Sequence, residues 1–134
     1  MPVRRSDTLE LRSGADVVTA RQTVRLWCVD VGFSLVDQTK MVNAASELAR
    51  NTIDYGGGGT VRLDSLEDGV RRGLRLTFED AGPGIADVQR ALQDGFTSGK
   101  GLGLGLGGAR RLVNEFDITS KVGEGTRVVI TRWK

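Results

Sequence analysis

Leu74-Arg75-Leu76-Thr77-Phe78-Glu79-Asp80-Ala81-Gly82-Pro83-Gly84-Ile85 carries the decision about the fold. Its first half alternates apolar Leu74, Leu76 and Phe78 with Arg75, Thr77 and Glu79, the period of a strand with one covered face and one wetter face. Upstream, Asp68-Gly69 is a strong hairpin signal. The spacing therefore predicts paired strands over Thr60–Leu66 and Val70–Glu79. In the second half the strand ends on a carboxylate, Asp80, followed by glycines at 82 and 84. Such a turn bends sharply and lets a flat ligand approach the backbone closely. A carboxylate accepts hydrogen bonds and suits an exocyclic amine such as that of adenine. Taken alone, the same residues also fit a plain strand-to-helix turn capped by Asp80.

Working outward, Thr8–Arg12 reads as a short opening strand. Val17, Ala20, Val24, Trp27 or Cys28, and Val31 recur at helical spacing and predict an amphipathic helix over Gly14–Val31, with Cys28 packed in the core. A second helix is expected from a cap at Asp37 to about Tyr55, burying Met41, Ala45, Leu48 and Thr52. The run Gly56-Gly57-Gly58-Gly59 ends it. Short helices are expected over Ile85–Leu92 and Leu106–Glu115, and a closing hairpin over Asp117–Lys121 and Arg127–Trp133. Strand, two helices, two strands, two helices, two strands is the order of an α+β two-layer sandwich, a mostly antiparallel sheet with helices on one face. Residues 1–134 read as a single domain, without repeat or linker.

Two further segments are suited to chemistry. Gly101-Leu102-Gly103-Leu104-Gly105-Leu106-Gly107-Gly108 exposes backbone N–H groups ahead of a helix N-terminus, an anion site suited to phosphates. It contains G-x-G-x-x-G, but no buried strand precedes it, so a dinucleotide-binding reading fails. Gly95–Lys100 falls one residue short of a Walker loop, with Gly101 where the metal-binding hydroxyl belongs. In SELARNTID, residues 46–54, Glu47, Asn51 and Asp54 fall within roughly 60° of one another on a helix, away from Met41 and Leu48. An acid and an amide one turn apart can hold a hydroxyl and a metal ion side by side; a solvated polar face is the plainer alternative.

Composition narrows the classes. The chain has 134 residues, 39% hydrophobic and 27% charged, which is ordinary for a globular domain. A single cysteine excludes a disulfide framework, and the absence of histidine removes the commonest general base, the commonest zinc ligand and any phosphohistidine. No apolar run suggests a leader or a membrane span, so a cytoplasmic location without membrane partner is expected. The net charge of +2 comes with arginine pairs at Arg4-Arg5, Arg71-Arg72 and Arg110-Arg111. Aromatics are too scarce for a nucleic-acid surface, so these pairs read as solvated surface or as a dock for an acidic partner.

Together and in this order, the acid–x–x–x–Asn helix, the D-x-G-x-G turn and the G-x-G-L-G-L loop resemble the signatures of GHKL ATPases and kinases. Gly123-Glu124-Gly125-Thr126 resembles that family's late glycine–threonine element, and the resemblance runs from about Asp37 to the C-terminus. It implies a Bergerat, or histidine-kinase-like ATPase, fold with ATP between the helices and the loop. Asp80 would then accept from the adenine amine, supported by Thr126 directly or through water, and Gly82 and Gly84 would let the backbone approach the base. Asn51 would hold magnesium against the phosphates. Gly101, Gly103 and Gly105 would line the triphosphate, with charge from Lys100 and with Ile85, Leu102 and Leu104 in the same cofactor-binding set. Phe96–Gly101 would be a short lid.

Within the family, the stretches SELARN, EDAGPGI, DGFTSGKGLGLGL and GEGTRVVITRW are most similar to the bacterial switch-protein serine kinases of the RsbT type. That resemblance implies phosphorylation of serine or threonine on a STAS-domain partner within a stressosome, and activation of a serine phosphatase on release. Glu47 would orient and partly deprotonate the substrate hydroxyl. Arg50 would hold Glu47 ionised or contact phosphate, and Asp54 belongs to the surface or the site. The alternatives are an anti-sigma factor bound to a sigma factor, or a non-catalytic switch. Oligomeric state stays open.

Overall fold

The computed structural model describes residues 3–92 and 102–134, with backbone alone for residues 102–105. In chain order the elements are β1 (Val3–Leu11), α1 (Gly14–Val31), α2 (Leu35–Asp54), β2 (Gly59–Asp68), β3 (Arg71–Asp80), α3 (Val88–Ala91), α4 (Leu102–Arg111), β4 (Glu115–Lys121) and β5 (Gly125–Trp133). The strands form one antiparallel sheet in the order β1-β2-β3-β5-β4. Leu63, Leu74, Leu76, Phe78, Val128 and Ile130 point from it into a core shared with the helices. The two-layer α+β sandwich expected from the sequence is the architecture found.

α1 buries Val17, Ala20, Val24, Trp27, Cys28 and Val31, and burial pushes the Cys28 thiol up to about 12. Gly32, at φ 97°, ends it in the left-handed conformation. α2 starts two residues before the expected cap. Ser34 is its N-cap, accepting from the Asp37 N–H, and Asp37 instead pairs with Arg132 of β5 at 2.5 Å. Met41, Ala45, Leu48 and Thr52 are buried as expected. β1 begins at Val3 rather than Thr8, because its first residues pair with β2.

Two other helices differ from their expected spans. α3 covers Val88–Ala91, not Ile85–Leu92, because Asp87 caps it and Ile85 is held in the preceding turn by a bond from its N–H to Ser120 Oγ (2.7 Å). α4 covers Leu102–Arg111, not Leu106–Glu115. Each glycine in a helix costs about 1 kcal/mol relative to alanine, which favoured a loop. Packing on α2 through buried Leu106 and Ala109 overrides that preference. The helix stops where Asn114 N–H bonds to Thr131 O and the chain enters β4. Among the described residues no helix is long and apolar enough to cross a membrane.

Candidate functional site

The β2–β3 ladder pairs Gly59 with Asp80, and β3–β5 pairs Asp80 with Thr126, so the end of β3 lies beside the end of α2 and the start of β5. A small cavity forms there, lined by Asn51, Thr52, Tyr55, Asp80, Ile85, Leu106 and Thr126 over an apolar floor that includes Leu48 and Phe78. The fold thus brings together Asn51 of α2, Asp80 and Ile85 from the end of β3 and the turn after it, and Thr126 of β5, three separate segments.

Three glycines make room for Asp80 and the turn after it. A Cβ on Gly56 would collide with the Asp80 side chain, and one on Gly82 would stand 2.7 Å from Gly56 Cα. Gly84 has φ 76°, and a Cβ there would collide with the Lys121 carbonyl oxygen. Tyr55 Oη donates to Gly84 O (2.8 Å), and Gly123 N–H donates to Pro83 O (2.7 Å). Gly82 N–H donates to Asp80 Oδ1 (2.9 Å). Burial raises the Asp80 pKa above the usual carboxylate range, with the backbone N–H groups of Gly82 and Thr126 pulling the other way.

Ser120 ties the turn to β5. Its Oγ accepts from Ile85 N–H and lies 3.1 Å from Gly125 O, which can only accept. The single Ser120 proton therefore goes to Gly125, so Thr126 donates to Ser120 across 2.8 Å. Thr126 Oγ1 keeps its acceptor capacity at the cavity.

Glu47 lies one helical turn before Asn51, with its side chain 48% exposed and outside the cavity lining. Arg50 Nη1 donates to Glu47 Oε1 at 3.2 Å, an arrangement that orients the carboxylate. Asp54 is exposed and lines a separate groove with Arg21 and Arg50. Gly103 and Gly105 are helical, as are Leu102 and Leu104, rather than looped as expected. Lys100, Gly101 and the expected lid over Phe96–Gly101 lie outside the described residues.

The water-accessible space of this partly open cavity is about 20 Å³, room for about one water, with Leu106 of α4 among its walls. Sequence reasoning missed Tyr55, Ser120 and Leu106. Tyr55 falls one turn after Asn51 and was within reach of the helix-face reasoning, whereas Ser120 acquires its place only from the β4–β5 register.

Comparison with known proteins bears on this arrangement. Residues 36–134 match the family described as histidine kinase-, DNA gyrase B-, and HSP90-like ATPases. The chain is 42% identical over 118 residues to the serine/threonine-protein kinase RsbT of Bacillus subtilis, covering 88% of this chain and 89% of that one. It is 31% identical to an anti-sigma F factor of Anoxybacillus flavithermus, covering 84% and 81%. A crystal structure of RsbU and RsbW domains from Mycobacterium tuberculosis aligns with all of this chain and 33% of that one, with a TM-score of 0.65 at 23% identity, and supports the fold. With a family match from α2 to the last residue and relatives over most of its length, the chain belongs to the histidine kinase-, DNA gyrase B- and HSP90-like ATPase family.

Proposed function

We propose that this protein is an ATP-dependent serine/threonine protein kinase that phosphorylates a STAS-domain partner in a partner-switching pathway, and that its released form engages a serine phosphatase. The observation carrying the reading is that Asn51 of α2, Asp80 at the end of β3 and Thr126 of β5 line one cavity, with Glu47 one turn from Asn51. The similarity to a serine/threonine kinase over most of the chain supports the transfer reaction.

The residues fit a purine. Asp80 offers an acceptor beside a backbone cleared of Cβ atoms at Gly56 and Gly82. Thr126 Oγ1 offers a second acceptor. Because the cavity has room for about one water, a purine enters as Leu106 and α4 draw back from α2. Four of the ten residues of α4 are glycine, so unwinding its first turns costs little, and their N–H groups then become available to phosphate oxygens.

Asn51 fits magnesium, which takes one or two protein oxygens and completes its shell with phosphates and water. When bound, the ion would neutralise charge on the phosphates. Glu47, oriented by Arg50, accepts the proton of the substrate hydroxyl as the hydroxyl oxygen bonds to the γ-phosphorus and the bond from that phosphorus to the β-phosphate oxygen breaks, releasing ADP. The exposure of Glu47 suits a base that must meet a side chain arriving on another protein.

Incubation with γ-labelled ATP, magnesium and a STAS-domain candidate from a neighbouring gene tests this directly. Label should pass to the partner, and Glu47→Ala should reduce transfer at least about 100-fold while ATP binding survives. Undiminished transfer by Glu47→Ala removes Glu47 as the base. The likeness to an anti-sigma F factor supports a second reading, a nucleotide-dependent clamp on a sigma factor. That reading predicts capture of a sigma factor with ATP present and no labelled protein at any time.

A further inference from the structure

The Arg4-Arg5 pair and Arg72, distant in sequence, meet at the end of the sheet opposite the cavity beside Asp80. Between Val3 and Arg5 the β1–β2 register slips, leaving Arg4 as an extra residue between the partners of Leu66 and Ser65. A regular strand sends consecutive side chains to opposite faces, and an extra residue breaks that alternation. Arg4 and Arg5 consequently line the same cleft, with Arg72 of β3 facing them. Arg72 lies eight positions before Asp80 on β3, on the order of 26 Å along the strand.

The cleft has a volume of about 380 Å³ and is walled by Trp27, Asp30 and Ser65 besides the arginines. The Arg5 guanidinium carbon sits over the Trp27 ring, 4.0 Å from its centroid, so the cation packs against the face of the ring. Three guanidiniums face one carboxylate in the lining. That carboxylate, Asp30, contacts Arg5 at 3.3 Å, with side chains 56% and 67% exposed. Arg72 also donates to Asp30 O at the end of α1 (3.3 Å). Arg4 pairs with Glu67, outside the lining, at 2.9 Å. Such exposed pairs contribute little and exchange readily for a better anion. The planar guanidinium fork matches two oxygens of one phosphate group, and Ser65 adds a hydroxyl donor.

We propose that this cleft binds a phosphate monoester dianion, with Asp30 as the internal group it displaces. The same chemistry can arrive as free phosphate or as a phosphorylated side chain of a partner protein. The site does not depend on the kinase reading, because it lies away from Asp80 and its reporter is local.

Trp133→Phe leaves Trp27 as the one tryptophan of the chain and turns its fluorescence into a gauge of the cleft. Inorganic phosphate, a phosphoserine peptide and the same peptide without phosphate are titrated at low salt, where exposed charges are least screened. A saturable response to phosphate and phosphopeptide alike assigns a free-anion site, and one to the phosphopeptide alone assigns a modified partner. Arg72→Gln should weaken binding at least about tenfold, and Arg5→Lys, which keeps the charge but loses the fork, should do the same where Arg72→Gln fails to fold. Asp30→Asn should tighten it severalfold, a sign opposite to that of a merely structural residue. No saturable response to either phosphate form, or weaker binding by Asp30→Asn, overturns the proposal.

Discussion

Tyr55 Oη donates a 2.8 Å hydrogen bond to the carbonyl oxygen of Gly84, joining positions 29 residues apart. The bond fastens the end of α2 to the turn after β3. Asn51 and Asp80 stand on those two elements, so this contact sets the spacing between the proposed metal-binding amide and the proposed purine acceptor.

Tyr55→Phe keeps the ring in the cavity wall and removes only the donor. A part-buried carbonyl then loses its partner, at about 1 kcal/mol, or roughly 3–5 °C in Tm for a chain of this size. Affinity for ATP should fall about fivefold by calorimetry, since Gly84 is no longer held against α2. Native affinity in this variant would mean that the turn is fixed by Ser120 and Gly123 alone.

Gly56→Ala places a methyl against the Asp80 side chain, 2.6 Å from its Oδ2. The carboxylate must turn aside, and ATP binding should weaken by more than about tenfold, the loss of roughly one charge-assisted hydrogen bond. Gly14→Ala is the matched control. A Cβ there meets nothing within 4 Å, so the helix start should gain up to about 1 kcal/mol with binding untouched. If both variants bind ATP equally, Asp80 has no part in the site.

The sequence discloses those features whose causes are local or periodic. α1 falls on its expected bounds because its apolar residues keep helical spacing and Gly32 closes it. Asn51, Asp80 and Thr126 were legible because each stands in a short motif of fixed order, and the sheet register then brings them to one cavity. The Ser34 cap was missed although Ser-x-x-Asp is a recognisable start signal, since Asp37 itself resembles a cap. The span of α4 could not be read from propensity, because tertiary contact decides it against four glycines. Ser120 has no motif at all; its bonds to Ile85, Gly125 and Thr126 exist only once two distant turns are side by side.

Asp80→Asn separates stability from binding. Burial raises the folded pKa of Asp80. The stabilisation linked to its proton is therefore full below the unfolded value of about 3.9 and is lost as pH rises through the folded value. At neutral pH the ionised carboxylate weighs against folding, and the neutral amide should raise Tm. ATP affinity should fall about 10- to 100-fold, because an amide forced to present a donor to the adenine amine cannot accept from it. A lower Tm at neutral pH, with affinity intact, contradicts both halves.

Asp64 titrates with the opposite sign. It is nearly fully buried on β2 and accepts from Ser6 Oγ (2.5 Å), Arg62 Nε (3.1 Å) and Arg75 Nη2 (3.2 Å). Burial opposes its ionisation, but the bonds from Ser6 and Arg75 and the charges of Arg62 and Arg75 outweigh it and hold the carboxyl below its ordinary range. The stability linked to this ionisation is present above the unfolded value of about 3.9 and lost as pH falls through the lower folded value. Asp64→Asn should thus destabilise the protein by about 1–3 kcal/mol at neutral pH, because the arginines are part-exposed and recover some hydration. The difference from the parent should shrink in denaturant titrations as pH drops below about 4. A gap that stays constant down to about pH 2 would show that the network stabilises β1 and β2 through packing and not through its charge.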